Sequence, residues 1–293
     1  MLGTMSPKTI VYLALIFLLP AAAAFGQSAA TIRQEQPPIP AEEIIRKFSE
    51  REREFRTARG NYTYRQDVTV QELNANDRVL GEYRLVSDIT FDPTGKRTER
   101  IVRAPANTLK GIQLTSQDLQ DIREIQPFVL TSDDINKYTL KYAGKEKIDE
   151  VDCYVFEVGP KTLEKGQRYF QGQIWVDDQD LQIVKTYGKA VPDIKEKGQE
   201  NLFPRFETYR EQIDQYWFPT YTKAVDTLQF SSGAKRIRQI IKYENYKKFE
   251  ADVKLSFGDA VDGGDVDKPP SVSNDRKAPA LDPRLNESKT KKK

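Results

Sequence analysis

The 293-residue sequence contains no histidine and a single cysteine. Without histidine it lacks the commonest general acid–base and the commonest metal ligand, and serine–histidine and cysteine–histidine nucleophile systems are excluded. One cysteine cannot close an internal disulfide. Cys153 lies between Asp152 and Tyr154-Val-Phe156 and reads as a small core residue rather than a reactive thiol. An excess of charge is also missing. Forty-six Lys+Arg stand against 44 Asp+Glu, a net charge of +2, which points to neither nucleic acid nor an acidic surface as partner. Apolar runs are scarce, and beyond the first 26 residues none is long enough to span a bilayer.

What is present begins with an export signal. Lys8 supplies a positive start, Ile10–Leu19 is an unbroken apolar run, Pro20 breaks it, and Ala21–Ala24 lead into Gly26-Gln27. That order predicts a cleaved signal peptide over 1–26, and hence export, with no membrane span in the mature chain. The absence of a cysteine after the signal argues against N-terminal lipidation. A Gln/Pro-rich linker over 27–40, ending Pro37-Pro-Ile-Pro40, is expected to be extended rather than packed. A folded domain is expected over 41–249. The segment 250–293, rich in Asp, Gly, Pro, Ser and Lys, is expected to stay disordered, since it has too little apolar surface to offset its ordering entropy.

The domain opens with a helical period. Ile44, Ile45, Phe48, Phe55 and Ala58 recur on one face, Glu42 and Glu43 suit the N-terminus, and Gly60 ends the pattern. The period then drops to two. Tyr62, Tyr64, Val68 and Val70 alternate with polar residues, as do Tyr83, Leu85, Ile89 and Phe91, with turn residues at 74–77 and 93–95. These connections are too short for a parallel crossover, so the strands are antiparallel neighbours. A second helix is predicted over 116–125, capped by Ser116 and stopped before Pro127. Further strands are expected near 137–142, 153–156, 169–176, 181–187, 206–213, 217–230 and 235–246, with a long loop over 191–204. The fold class is mainly β, an antiparallel meander of about ten strands with two helices added.

Two groups of residues invite a chemical reading. Asp177, Asp178 and Asp180 could form a carboxylate cluster, but they fall at a predicted hairpin, where aspartate serves the turn. Asp259, Asp262, Asp265 and Asp267 lack the spacing of an EF-hand loop and read as a solvated tail. Arg236, Arg238 and Lys242 make a basic stripe with the pattern of a solvated sheet face. No catalytic residue, metal site or cofactor is nominated.

The run Lys145-Glu-Lys-Ile-Asp-Glu-Val-Asp-Cys-Tyr-Val-Phe-Glu-Val-Gly-Pro-Lys161 is followed by Gln173-Ile-Trp-Val-Asp177, Leu181-Gln-Ile-Val-Lys185, Glu207-Thr-Tyr-Arg210 and Tyr216-Trp-Phe-Pro-Thr220. This order resembles an uncharacterised branch of the outer-membrane lipoprotein-sorting (LolA-like) superfamily. The resemblance implies a half-open antiparallel β-barrel whose concave face is covered by the N-terminal helix and a second short helix. It further implies an apolar cavity for lipid or lipoprotein acyl chains and a non-enzymatic carrier, chaperone or receptor. No functional residue carries over, because no motif matches around the arginine that the family's carriers hold inside the cavity. Trp175, Trp217, Tyr83, Tyr138 and Tyr142 are the candidates for lining such a cavity. If side chains fill the barrel instead, the same residues serve as core anchors. The chain then reads as an interaction or envelope-stress sensor module with an envelope protein partner.

Overall fold

The structure is a computed structural model describing residues 32–92, 95–196 and 199–248. The expected signal peptide, the first part of the linker, the tail and its aspartates lie outside those residues. The elements run α1 (Ala41–Arg59), β1 (Tyr62–Leu73), β2 (Val79–Phe91), β3 (Arg97–Arg103), α2 (Ser116–Glu124), β4 (Tyr138–Ile148), β5 (Val151–Pro160), β6 (Tyr169–Asp177), β7 (Ile183–Val191), β8 (Ile194–Glu196), β9 (Gln199–Asn201), β10 (Phe206–Ile213), β11 (Tyr216–Phe230) and β12 (Gly233–Lys248). Ten strands form one antiparallel sheet in the order β3-β2-β1-β12-β11-β10-β7-β6-β5-β4. Its end strands β3 and β4 do not pair, so the sheet stays open, as expected of a half-open barrel. The additional strands β8 and β9 form a small hairpin inside the expected 191–204 loop.

Register shows which side chains share a face. Val68, Ile241, Thr222, Thr208, Thr186, Ile174, Phe156 and Tyr142 pair in turn from β1 to β4 and so form one row across the inner face. Both helices pack on this face. Ile44, Phe48, Glu52 and Phe55 of α1 are fully buried against it. Phe48 meets Phe156 on β5 at 5.8 Å between ring centroids, and Phe55 meets Phe218 on β11 at 5.0 Å. The two helix positions lie about 10 Å apart along the axis. Strands β5 and β11 are four steps apart, about 19 Å in a flat sheet, so the sheet curls over the helix.

Helix α1 stops at Gly60 as expected, with that residue right-handed (φ −57°). Two details differ from the sequence reading. The N-cap of α2 is Thr115, not Ser116. Thr115 and Asp118 form a reciprocal capping box, with Asp118 Oδ2 accepting from the Thr115 N–H at 2.7 Å. The linker, extended as expected, is also tied to the sheet where it is described. Arg33 exchanges backbone hydrogen bonds with Lys145 at 2.7 and 2.9 Å, Gln34 donates to the Ala143 carbonyl, and Ile32 and Ile39 are partly buried. The cause is the edge of β4, whose free backbone groups accept an added strand-like segment. Gly144 permits the crossing, since at φ 132° a Cβ would clash with the Arg33 carbonyl.

Candidate functional site

The interior beneath α1 is filled. Phe128 stacks on Phe170 at 4.4 Å, Phe170 meets Phe206 at 6.0 Å, and no large side chain in that layer is exposed. At its centre Arg210 of β10 donates to both Glu52 oxygens at 3.0 and 3.2 Å and to the Phe128 carbonyl. The remaining donor to Glu52 is the Ile183 N–H at 3.1 Å, next to Val184, which the β6–β7 register skips. Burial pushes the Glu52 carboxyl above its ordinary range, with Arg210 pulling the other way. Two buried threonines continue the polar seam: Thr208 donates to the Gln126 carbonyl at 2.9 Å and lies 2.8 Å from Thr222.

Beneath α2 the same face opens into a cleft of about 340 Å³. Its floor comes from five adjacent strands, through Val70 (β1), Ile237 and Gln239 (β12), Leu228 and Phe230 (β11), Phe206 (β10) and Ala190 (β7). Ile112, Leu114 and Ile122 form the roof, and Leu202, Phe203 and Pro204 form the side wall. One end is polar. Asp118 accepts from the Thr115 hydroxyl at 2.8 Å and from Asn201, while Asn201 also donates to the Thr115 hydroxyl at 2.6 Å.

The walls are fixed from outside. Buried Arg168 pairs with Asp121 of α2 at 2.6 Å, lies 4.0 Å over the Phe203 ring and donates to the Pro192 carbonyl. One guanidinium therefore ties α2, the segment before β6 and the 192–204 segment into a frame. Burial pushes the Asp118 and Asp121 carboxyls up, opposed by these donors. Both carboxylates are engaged in hydrogen bonds that hold the cleft's rim.

None of the five residues singled out in the sequence lines this cleft. Trp175 and Trp217 belong to a cluster on the opposite face with Cys153, Val155 and Val184. Their indole N–H groups donate to Glu146 at 2.7 Å and Asp180 at 2.9 Å. Tyr138 is buried in the main core and burial pushes its phenol up to about 12, Tyr142 packs against Tyr154 and Phe156, and Tyr83 packs with the β1–β12 cluster. Cys153 is fully buried, and burial pushes its thiol up to about 12. The aspartates at 177–180 serve their turn: Asp177 accepts from the Gln179 N–H, Asp178 pairs with Lys145, and Asp180 accepts from the Gln182 N–H. Among the described residues no group of three or more acidic or cysteine side chains is placed to hold a metal ion, and no helix is long and apolar enough to cross a membrane.

The chain is similar to several solved structures. A DUF1329 family protein from Desulfovibrio piger is 17% identical, with 74% of this chain and 95% of that chain covered and a TM-score of 0.40. A LolA superfamily protein from Nitrosomonas europaea is 13% identical over 72% and 94% of the two chains, with a TM-score of 0.33. An outer-membrane lipoprotein-sorting protein domain from Vibrio parahaemolyticus is 12% identical over 74% and 95%, with a TM-score of 0.32. These neighbours include members of the superfamily that the sequence motifs resemble. A search among curated proteins returns no match. A family profile described as an uncharacterised-protein-like family matches residues 89–248, more than half of the sequence, and the chain belongs to that family.

Proposed function

We propose that this is an exported, periplasmic, non-enzymatic protein that binds the acyl chains of a lipid or lipid-modified protein in the cleft beneath α2. The observation carrying this reading is the cleft itself, whose apolar floor is built from buried Val70, Phe206 and Ile237 and half-buried Leu228 and Phe230, beside a layer under α1 that is tightly filled. A volume of about 340 Å³ sits at the lower end of the roughly 300–1,000 Å³ typical of ligand pockets. Each methylene buried there contributes about 0.8 kcal/mol, so one short chain suffices for measurable affinity. The motifs resembling the lipoprotein-sorting superfamily support the same class of ligand.

The test is to purify the chain gently from a periplasmic extract, identify bound lipid by native mass spectrometry, and titrate an apolar fluorophore. Leu228→Trp narrows the cleft at a half-buried position, and is expected to weaken probe binding about tenfold while leaving the melting temperature unchanged. A protein that carries no lipid, and whose probe binding ignores Leu228→Trp, would remove the cleft from consideration.

A second reading is favoured by one feature. The edge strand β3 and its neighbour expose Val79, Leu80, Ile101 and Val102. An unpaired edge bearing apolar side chains can accept a strand from a protein partner, and co-purification of a protein instead of lipid would support it.

A further inference from the structure

A second cavity, of about 720 Å³, lies between the last turn of α1, strands β2 and β3, and α2. Four guanidinium groups from three elements face it: Arg56 and Arg59 from α1, Arg97 from β3 and Arg123 from α2. Their compensation is uneven. Arg56 pairs with Asp133 and Asp134, whereas Arg97 and Arg123 share one oxygen of Glu99, each at 3.0 Å. Arg59 has no carboxylate partner among the described residues. Its guanidinium carbon lies 5.4 Å from the centre of the Phe91 ring, and its Nε is sealed from solvent without a hydrogen-bond partner. The Nε of Arg97 is likewise unpaired. Glu124, the remaining carboxylate of the lining, accepts from Gln120 instead.

A secluded cation without a counter-charge is costly, and the cost is relieved by an anion. Three guanidinium forks around one carboxylate suit a tetrahedral oxyanion, because arginine donates two parallel hydrogen bonds to phosphate. We propose that this cavity binds a phosphate-type oxyanion through Arg59, Arg97 and Arg123, the phosphate being either free or carried on a lipid headgroup. The site stands whether or not the α2 cleft holds an acyl chain.

The test titrates the purified full chain by calorimetry and thermal melting in a buffer free of phosphate and sulfate. The probes are inorganic phosphate, dihexanoyl phosphatidic acid, and sodium chloride at matched ionic strength. Phosphate is expected to bind and raise the melting temperature beyond the chloride control. Arg59→Gln is expected to weaken it about tenfold to a hundredfold, the range for a lost charge-assisted hydrogen bond. Without anion that variant should melt no lower than the wild type, because it removes an uncompensated charge. Arg123→Gln, at a partly exposed position, provides an independent second variant and should weaken phosphate in the same direction. If dihexanoyl phosphatidic acid binds at least about tenfold tighter than phosphate and Arg59→Gln weakens both, the phosphate belongs to a lipid. Equal affinities assign the site to free phosphate. Failure of both probes to bind at millimolar concentration would overturn the proposal. So would binding that neither variant alters, and in that case phosphatidic acid held by its chains alone would leave the acyl-chain reading intact.

Discussion

Replacing Glu52 with leucine would leave Arg210 charged and sealed beneath α1. Arg210 is 4% exposed and Glu52 0%, and the same carboxylate also accepts the Ile183 N–H. Breaking a buried ion pair from one side costs about 3–5 kcal/mol, because the surviving charge has no partner and little water. An unsatisfied buried donor adds about 1–3 kcal/mol, partly overlapping with the first cost. The expected destabilisation by Glu52→Leu is therefore about 4 kcal/mol. For a domain of this size that lowers the melting temperature by about 8–16 °C. Combining Glu52→Leu with Arg210→Met should recover much of the loss, since replacing both partners with apolar groups is often neutral. A residual cost of about 2 kcal/mol should persist, because the Ile183 N–H and Phe128 carbonyl still lack partners. Urea unfolding with linear extrapolation measures all four corners of the cycle. Neither residue lines the cleft, so probe binding should persist in every variant that folds. A loss below about 1 kcal/mol for Glu52→Leu, or additive effects in the double variant, would mean that the pair is not sealed and the interior beneath α1 not filled.

Two further outcomes follow from local geometry. Burial, reinforced by Asp180 and Asp178, pushes the Asp177 carboxyl from 3.8 up to about 6. A raised pKa stabilises the fold fully below about pH 3.8 and loses that contribution as pH rises through about 6. Asp177→Asn should therefore match the wild type near pH 4 and exceed it by about 1 kcal/mol at pH 8, after discounting for solvent screening. A stability difference that stays flat across that range would contradict this. Gly144→Ala should push Arg33 off the β4 edge and cost about 2 kcal/mol. Hydrogen exchange reads the result directly: the Arg33 and Lys145 amides should exchange faster while core amides such as Ile174 do not change.

The framework was legible wherever one periodicity governed a segment. Alternation in 62–91 and 206–246 gives the right strands, and the 44-48-55 spacing gives α1, because a sheet or helix with one buried face has to repeat at two or 3.6 residues. The position between Phe48 and Phe55 was harder to interpret. Glu52 falls on the apolar stripe by spacing, and a carboxylate there points to a buried partner. Its partner Arg210 is 158 residues away, and nothing local to either residue pairs them. The cap of α2 was misplaced by one residue for a related reason: the Thr-x-x-Asp box at 115–118 closes through a side chain whose role depends on the turn already being formed.

The cleft escaped the sequence for a deeper reason. Large aromatics drew attention as ligand-lining candidates, yet such side chains are the ones a curled sheet spends on its core, and Trp175, Tyr138 and Tyr142 are packed accordingly. The half-buried residues of the cleft floor are Leu228 and Phe230, whose neighbours α2 and the 200–204 segment come from distant parts of the chain. What keeps that surface open is the Asp121–Arg168–Phe203 frame, three residues from three separate segments. Each looks ordinary in isolation: a helical acid, a loop base and a loop aromatic. Only topology brings them together. The cleft therefore follows from how α2 is held off the sheet, and loosening the frame would let α2 collapse onto the floor.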